Sequence, residues 1–305
     1  MYKINVKNRE INWIRIIIVT SILIIICLIF YFSAEKIKKN KINKQNKIKQ
    51  NEIIAQQIEA KAEAERQKQE QEKIQKEKMA KRYSKLSNED IEKVDNIYKH
   101  SDIKRVFLTF DDGPTKQVTP FILNLLKQEN VKANFFLLGK NVVNNPDIVK
   151  QEYDDGHFIG NHSYSHKYSD IYANVDSVFN EYNKTEEAIQ NAIGNKNFHT
   201  LVFRFPGGSK GGFYNDVKAQ AVAKLKEEGI ANVDWNALTN DADGAKTEEQ
   251  IMDSFYKTIK NETSVVLLMH DSADKILTYG TLPNIIKYFK DNGYKFETIY
   301  DLLDR

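Results

Sequence analysis

An α/β fold is predicted for residues 103–305: a parallel sheet with helices outside, either open or closed into a barrel. Three observations predict it. All thirteen glycines and all five prolines lie from Gly113 onward, so the turns that a compact domain needs are confined to this part. Short apolar runs alternate there with amphipathic segments of 10–18 residues. The charge also changes sign: residues 1–102 carry 22 basic and 14 acidic side chains (+8), and residues 103–305 carry 23 and 28 (−5). The total of +3 is therefore no nucleic-acid signal, because the folded part is acidic. The single cysteine, Cys27, excludes internal disulfides and a cysteine-based zinc cluster.

Each element follows from local chemistry. Residues 16–34 are nineteen uncharged positions, mostly Ile and Leu, close to the ~20 that cross a bilayer as a helix. Nothing nearby would bury such a run as a core helix. A cleaved signal peptide would have an apolar stretch of ~7–15 residues and small residues at the cut. This run is longer and ends Tyr31-Phe32-Ser33-Ala34. An uncleaved anchor after a short tail, 1–15, is expected. Residues 35–82 are nearly all Lys, Glu, Gln, Asn, Ile and Ala, mostly good helix formers with no breaker. The isoleucines hold no sustained heptad, so a solvated, largely helical stalk is expected over a coiled coil, with stalk and linker reaching residue 102. Ser87-Asn88-Glu89-Asp90 resembles a capping box and starts a short helix to about Tyr98.

Beyond Lys104-Arg105 the apolar runs are 106–110, 133–138, 158–159, 201–205, 231–233 and 265–269, with a weaker one at 294–296. Helices fit between them. One opens at Thr119-Pro120 with Pro at its first position, and one near Asn145-Pro146. Others cover 175–193, stopped by Gly194, then 215–228, 248–259, and 282–292, stopped by Gly293. In a barrel, chemistry collects at the C-terminal ends of the strands. Reactive residues should then follow the apolar runs directly, and five runs meet that test. The first leads into Asp111-Asp112-Gly113-Pro114, which alone would equally suit a solvated turn. The third leads into His162-Ser163-Tyr164-Ser165-His166, two histidines four apart that can share one face of a helical turn and one ion. The fourth leads into Arg204 and a Gly-rich turn, the fifth into Asp234-Trp235, and the sixth into His270-Asp271. His100, His157 and His199 read as structural or solvated.

Taken in order, Thr109-Phe110-Asp111-Asp112-Gly113-Pro114, His162-Ser163-x-x-His166, Arg204-x-Pro206-x-Gly208, Asp234-Trp235 and Leu268-x-His270 resemble the five motifs of the polysaccharide deacetylases (NodB homology domain, carbohydrate esterase family 4). The resemblance covers residues 103–305 and departs at the fourth motif, where no second acid stands upstream and Asp241 and Asp243 follow instead. It implies a distorted (β/α)7 barrel. It also implies that Asp112, His162 and His166 bind one divalent ion, Zn²⁺ or else Co²⁺, Ni²⁺ or Fe²⁺, which polarises an amide carbonyl and activates water. Asp111 would be the general base, oriented by Arg204; His270 would be the general acid, kept protonated by Asp234. The N–H of Gly207 would hold the oxyanion, and Trp235 and Leu268 would wall the acetyl methyl. Tyr164 and Phe205 are candidate sugar-stacking surfaces.

These expectations join into a metal-dependent enzyme that removes N-acetyl groups from N-acetylglucosamine of a cell-envelope polysaccharide, peptidoglycan first. Poly-N-acetylglucosamine, chitin oligosaccharides and O-acetyl xylan are the rival polymers. An Fe(II) oxygenase, which also uses two His and one carboxylate, would leave Asp111 and His270 unexplained. A non-catalytic wall-binding protein would be expected to have lost a ligand or the base. The expected location is the cell membrane, single-pass, with the domain outside. Seven lysines in 35–49 against Lys3, Lys7, Arg9 and Arg15 would favour the opposite orientation. That rule governs short loops, however, and long domains translocate largely regardless of charge.

Overall fold

The structure, a computed structural model, describes residues 13–82, 85–260 and 262–305. The chain divides into two compact units, Met1–Ile74 and Gln75–Arg305. Helix α1 (Trp13–Arg82) runs through both the apolar segment and the Lys/Glu/Gln segment. With neither Gly nor Pro to break it, the latter is helical throughout. Among the described residues α1 is the one helix long and apolar enough to cross a membrane, and its large apolar side chains between Ile16 and Ile74 are exposed. The expected tail falls, up to residue 12, outside the described residues.

The second unit runs α2 (Asn88–Asp95), β1 (Arg105–Asp111), α3 (Thr119–Gln128), β2 (Asn134–Leu137), α4 (Gly139–Asn144), α5 (Pro146–Asp154), β3 (Phe158–Asn161), α6 (Tyr168–Ile171), α7 (Val175–Ile193), β4 (Val202–Phe203), α8 (Asn215–Glu227), β5 (Ala231–Asn232), β6 (Ala237–Leu238), α9 (Glu248–Ile259), β7 (Ser264–His270), α10 (Ile276–Asp291), β8 (Lys295–Phe296) and α11 (Ile299–Leu302). The strands pair in parallel in the order β5-β4-β3-β2-β1-β7-β6, with β8 against the start of β1. The sheet is a parallel half-barrel wrapped by helices, open between β5 and β6.

Strand periodicity sorts the side chains. Along β1, Val106, Leu108 and Phe110 pack outward with Ile122, Leu126 and Ile285, whereas Phe107 faces the barrel interior with Phe136, Phe158 and Val266. Successive side chains alternate in a strand, so Thr109 and Asp111 share the interior face with Phe107. The same alternation in β7 sends Val265, Leu267 and Met269 outward and leaves Leu268 and His270 facing in. β1 and β7 are in register over their full length, with Asp111 opposite His270.

Three expectations change. First, residues 86–98 do not belong to a linker. The Ser87 capping box with Asp90 starts α2, and Leu86, Ile91, Val94 and Ile97 are buried with Ala231, Val233 and Tyr300 in the barrel core. Three apolar positions spaced by three in so short a segment carry too little periodicity to be read as a core face. Second, β6 is a two-residue strand with no apolar run to mark it, yet it pairs with β7 at Leu267 and Leu268. Third, α10 begins at Ile276, ahead of the expected start at 282, and Pro283 lies inside it.

Candidate active site and metal centre

The first strand ends in two carboxylates that the backbone separates. Asp111 continues β1 and points inward, 2% exposed. Asp112 turns into the left-handed region at φ +77°, and the Asn141 amide donates to its carbonyl at 2.6 Å. Gly113 must be glycine, because a Cβ there would lie 2.1 Å from Oδ2 of buried Asp271.

The histidines come from the loop after β3. It is not the helical turn expected above: Ser163 and His166 are left-handed, at φ +71° and +58°. Side chains impose this shape. Asn161 accepts from the Ser163 N–H at 3.0 Å, and Glu181 accepts from the N–H groups of Tyr164 and Ser165 at 2.9 and 2.7 Å. Non-glycine residues held in this region, at roughly 1–3 kcal/mol each, cluster at functional sites. The result brings His162 Nε2 to 3.6 Å and His166 Nε2 to 3.4 Å from Asp112 Oδ1.

These three groups fit a metal. Two ligand atoms about 2.0–2.1 Å from one tetrahedral ion are about 3.3 Å apart, close to the spacings found. The three ligand atoms all lie within 4.8 Å of one another. Asp112 Oδ1 is buried and has no hydrogen-bond partner among the described residues, which an oxygen reserved for a cation explains. His162 Nδ1 is 2.7 Å from the Arg204 carbonyl, so it donates there and leaves Nε2 unprotonated as a ligand atom. Burial above all holds His162 neutral, its pKa lowered to about 3.

Arg204, 0% exposed, is the hub of the interior. It donates to Asp111 Oδ1 at 2.9 Å, Thr109 Oγ1 at 2.7 Å, the Val233 carbonyl at 3.1 Å and the Asp234 carbonyl at 2.9 Å. Its guanidinium lies 4.0 Å from the Phe136 ring centre. Burial raises the Asp111 carboxyl above its ordinary value, with Arg204 and His270 pulling the other way. Asp111 Oδ2 is 3.7 Å from His162 Nε2, so the expected base and the expected ligand set are adjacent.

On the facing side His270 donates through Nδ1 to Asp241 Oδ1 at 2.9 Å and through its backbone N–H to Asp241 Oδ2 at 2.8 Å. Thr278 donates to the same Oδ2 at 2.8 Å. Burial opposes a charge on His270, but the hydrogen bond and charge of Asp241, aided by Asp111 and Asp112, push its pKa up to about 9. This corrects the expected pairing with Asp234. The Asp234 carboxylate instead accepts from Ser209 N–H and Oγ at 2.9 and 2.7 Å, and its own N–H donates to Tyr98 Oη at 2.6 Å. Asp234 shapes a loop; Asp241 holds the histidine.

A cleft of about 250 Å³ joins these groups, lined also by Gly207, Trp235, Leu238, Asp243 and Leu268. The expected neighbours Gly207, Trp235 and Leu268 are thus beside the ligand set. Tyr164 is not. It packs at Gly139, whose Cβ would meet its ring at 2.4 Å, and Tyr168 lines the cleft instead. Phe205 is fully buried in the core with Phe203 and Tyr172 and cannot stack on a sugar. The remaining histidines have structural partners: His157 accepts from Ala133 N–H at 3.1 Å, His199 meets Glu186 at 2.8 Å and His100 meets Thr263 at 3.0 Å.

Comparison with known proteins places this geometry. The family model for polysaccharide deacetylase matches residues 98–230. A peptidoglycan-N-acetylglucosamine deacetylase of Bacillus cereus is 35% identical over 203 residues, covering 65% of this chain and 70% of that one. The peptidoglycan-N-acetylglucosamine deacetylase PgdA of Listeria monocytogenes is 33% identical over 215 residues, 69% of this chain but only 41% of its own length. Among solved structures, a Streptococcus mutans CE4 esterase superposes with a TM-score of 0.62 at 34% identity, covering 71% of this chain and 96% of that one.

Proposed function

The chain belongs to the polysaccharide deacetylase family, and from that membership we propose that it hydrolyses the N-acetyl groups of N-acetylglucosamine residues in peptidoglycan, with the aid of a divalent metal ion. One observation carries the reading: β1–β7 pairing sets Asp111 opposite His270, beside the convergent Asp112, His162 and His166. A base, an acid and an ion site then share one cleft.

Asp112, His162 and His166 would hold the ion; two imidazoles and a carboxylate suit Zn²⁺, and also Co²⁺, Ni²⁺ or Fe²⁺. Bound there, it would supply Lewis acidity to the amide carbonyl and to a water molecule. The rest falls to the chain's own residues. Asp111, oriented by Arg204, takes the proton of the attacking water. The Gly207 N–H stabilises the oxygen as it gains charge. His270, protonated through Asp241, gives its Nε2 proton to the departing amine as the C–N bond breaks, leaving acetate and a glucosamine unit. Trp235, Leu238 and Leu268 offer apolar surface to the acetyl methyl.

In this reading α1 anchors the enzyme in the cell membrane through residues 16–34, with the barrel on the outer side where the polymer is. Acetate release from purified peptidoglycan, measured beside release from soluble poly-N-acetylglucosamine and acetylated xylan, tests the substrate. A rate on peptidoglycan at least about tenfold above the others is expected (about 1.4 kcal/mol of discrimination); preference for a soluble polymer contradicts it.

A further inference from the structure

The loop that supplies His162 and His166 runs on into a residue with no part in the chemistry above. Tyr168 opens α6, two positions after His166, and lines the same cleft as Asp111, Asp112, Gly207 and Trp235. Its ring is held on two sides. The His166 imidazole lies 5.8 Å from its centre, and so does the ring of Tyr172. Tyr172 is itself fixed, 1% exposed and donating to the Pro206 carbonyl at 2.8 Å. The phenol is therefore placed by a wall and by the His166 side chain, although Tyr168 is 41% exposed.

The hydroxyl end rests against the backbone of Gly207. A Cβ at that position would lie 2.5 Å from Tyr168 Oη and 3.1 Å from Cζ. Gly207 also has φ +73°, a conformation natural to glycine. Absence of a side chain at 207 thus admits the phenol to the part of the cleft where the oxyanion donor was expected. Among the described residues Oη has no hydrogen-bond partner, and a phenol is a protonated donor at neutral pH.

We propose that Tyr168 is a catalytic residue: its hydroxyl donates to the acyl oxygen of the acetamido group bound in the cleft, sharing that oxygen with the Gly207 N–H. This rests on the deacetylase reading above. Preorganised donors aimed at an oxygen that gains charge act on the transition state more than on the bound substrate, and losing one lowers kcat by up to roughly 10²–10³. The half-exposed setting of Tyr168 points to the lower end.

The test uses the full chain as wild type, Tyr168→Phe, Gly207→Ala and the double variant. Acetate release from an N-acetylglucosamine oligomer gives kcat and KM, and Zn²⁺ affinity is measured on each by competition with a chelating dye. Tyr168→Phe should lose about 10- to 100-fold in kcat, with KM within about twofold and Zn²⁺ affinity unchanged. Gly207→Ala, whose Cβ displaces the phenol, should lose at least as much, and adding Tyr168→Phe to it should lower kcat no further. Wild-type kcat in Tyr168→Phe overturns the proposal, since a ring that merely stacks on sugar survives that change. A loss confined to KM, a loss of Zn²⁺ affinity, or multiplicative losses in the double variant overturn it equally. A wild-type protein that released no acetate would sink the deacetylase reading itself, and this proposal with it.

Discussion

Two neighbouring carboxylates receive different tasks from their surroundings. Asp111 is clamped by Arg204 at 2.9 Å, while Asp112 has a buried, unpartnered oxygen 3.4–3.6 Å from two imidazole nitrogens. Asp111→Asn should therefore retain Zn²⁺ and lose acetate release by roughly 10²–10⁴-fold. His166→Ala should lose both, and metal content of the purified variants separates the two cases. His270 gives a pH signature. Its pKa is raised from 6.5 to about 9, so it is charged at neutral pH and activity falls on the alkaline limb as pH rises through about 9. Its protonation likewise adds stability that is complete below pH 6.5 and lost through about 9. Asp241→Asn removes the largest favourable partner, and the alkaline limb of kcat/KM should move down by about one unit or more; an unmoved limb would show that Asp241 does not tune the acid. Much at this scale was legible in the sequence, because polar residues directly following apolar runs lie at strand ends. The partnership of Asp241 with His270 was not: the sequence shows Asp241 only as an acid downstream of the fourth motif, because it follows β6, whose two residues leave no periodic trace. Tyr168 was hidden by the left-handed turns at Ser163 and His166, which break any rule for assigning a face from spacing.

Among the elements, the pairing of β1 with β7 matters most, because a one-residue slip would send Asp111 or His270 to the outer face. The two strands were readable as the apolar runs 106–110 and 265–269, but their pairing and its seven-residue register were not, because an apolar run does not name its neighbour. Nor was the role of α2. Ile91 and Val94 of α2, with Leu86 before it and Ile97 after it, are buried in the core with Ala231 and Val233, and Asp90 pairs with Arg305 at 2.7 Å. Each buried apolar side chain contributes about 1.5–3 kcal/mol, and a domain's net stability is only about 5–15 kcal/mol. A fragment beginning at residue 85 should thus unfold cooperatively on heating, whereas one beginning at 103 should melt far lower or not fold. Equal melting temperatures would remove α2 from the folded unit.

For the whole molecule, the near-neutral total of +3 is the sum of a basic N-terminal part and an acidic barrel. That asymmetry and the placement of glycine and proline mark two unlike parts, but the boundary they suggest, at residue 103, falls too late, since Leu86, Ile91, Val94 and Ile97 are buried in the barrel core. Protease added to intact cells should release the barrel if α1 anchors it outside; protection until the membrane is opened would reverse the proposed orientation. Hydrolysis of acetamido groups is proposed to take place at the Asp112–His162–His166 centre. The most direct measurement is acetate released from purified peptidoglycan by the protein stripped with chelator, before and after one equivalent of Zn²⁺. Release should be negligible when the protein is stripped and should recover on adding the ion, with none recovered in His166→Ala. Undiminished release from fully stripped protein would contradict it.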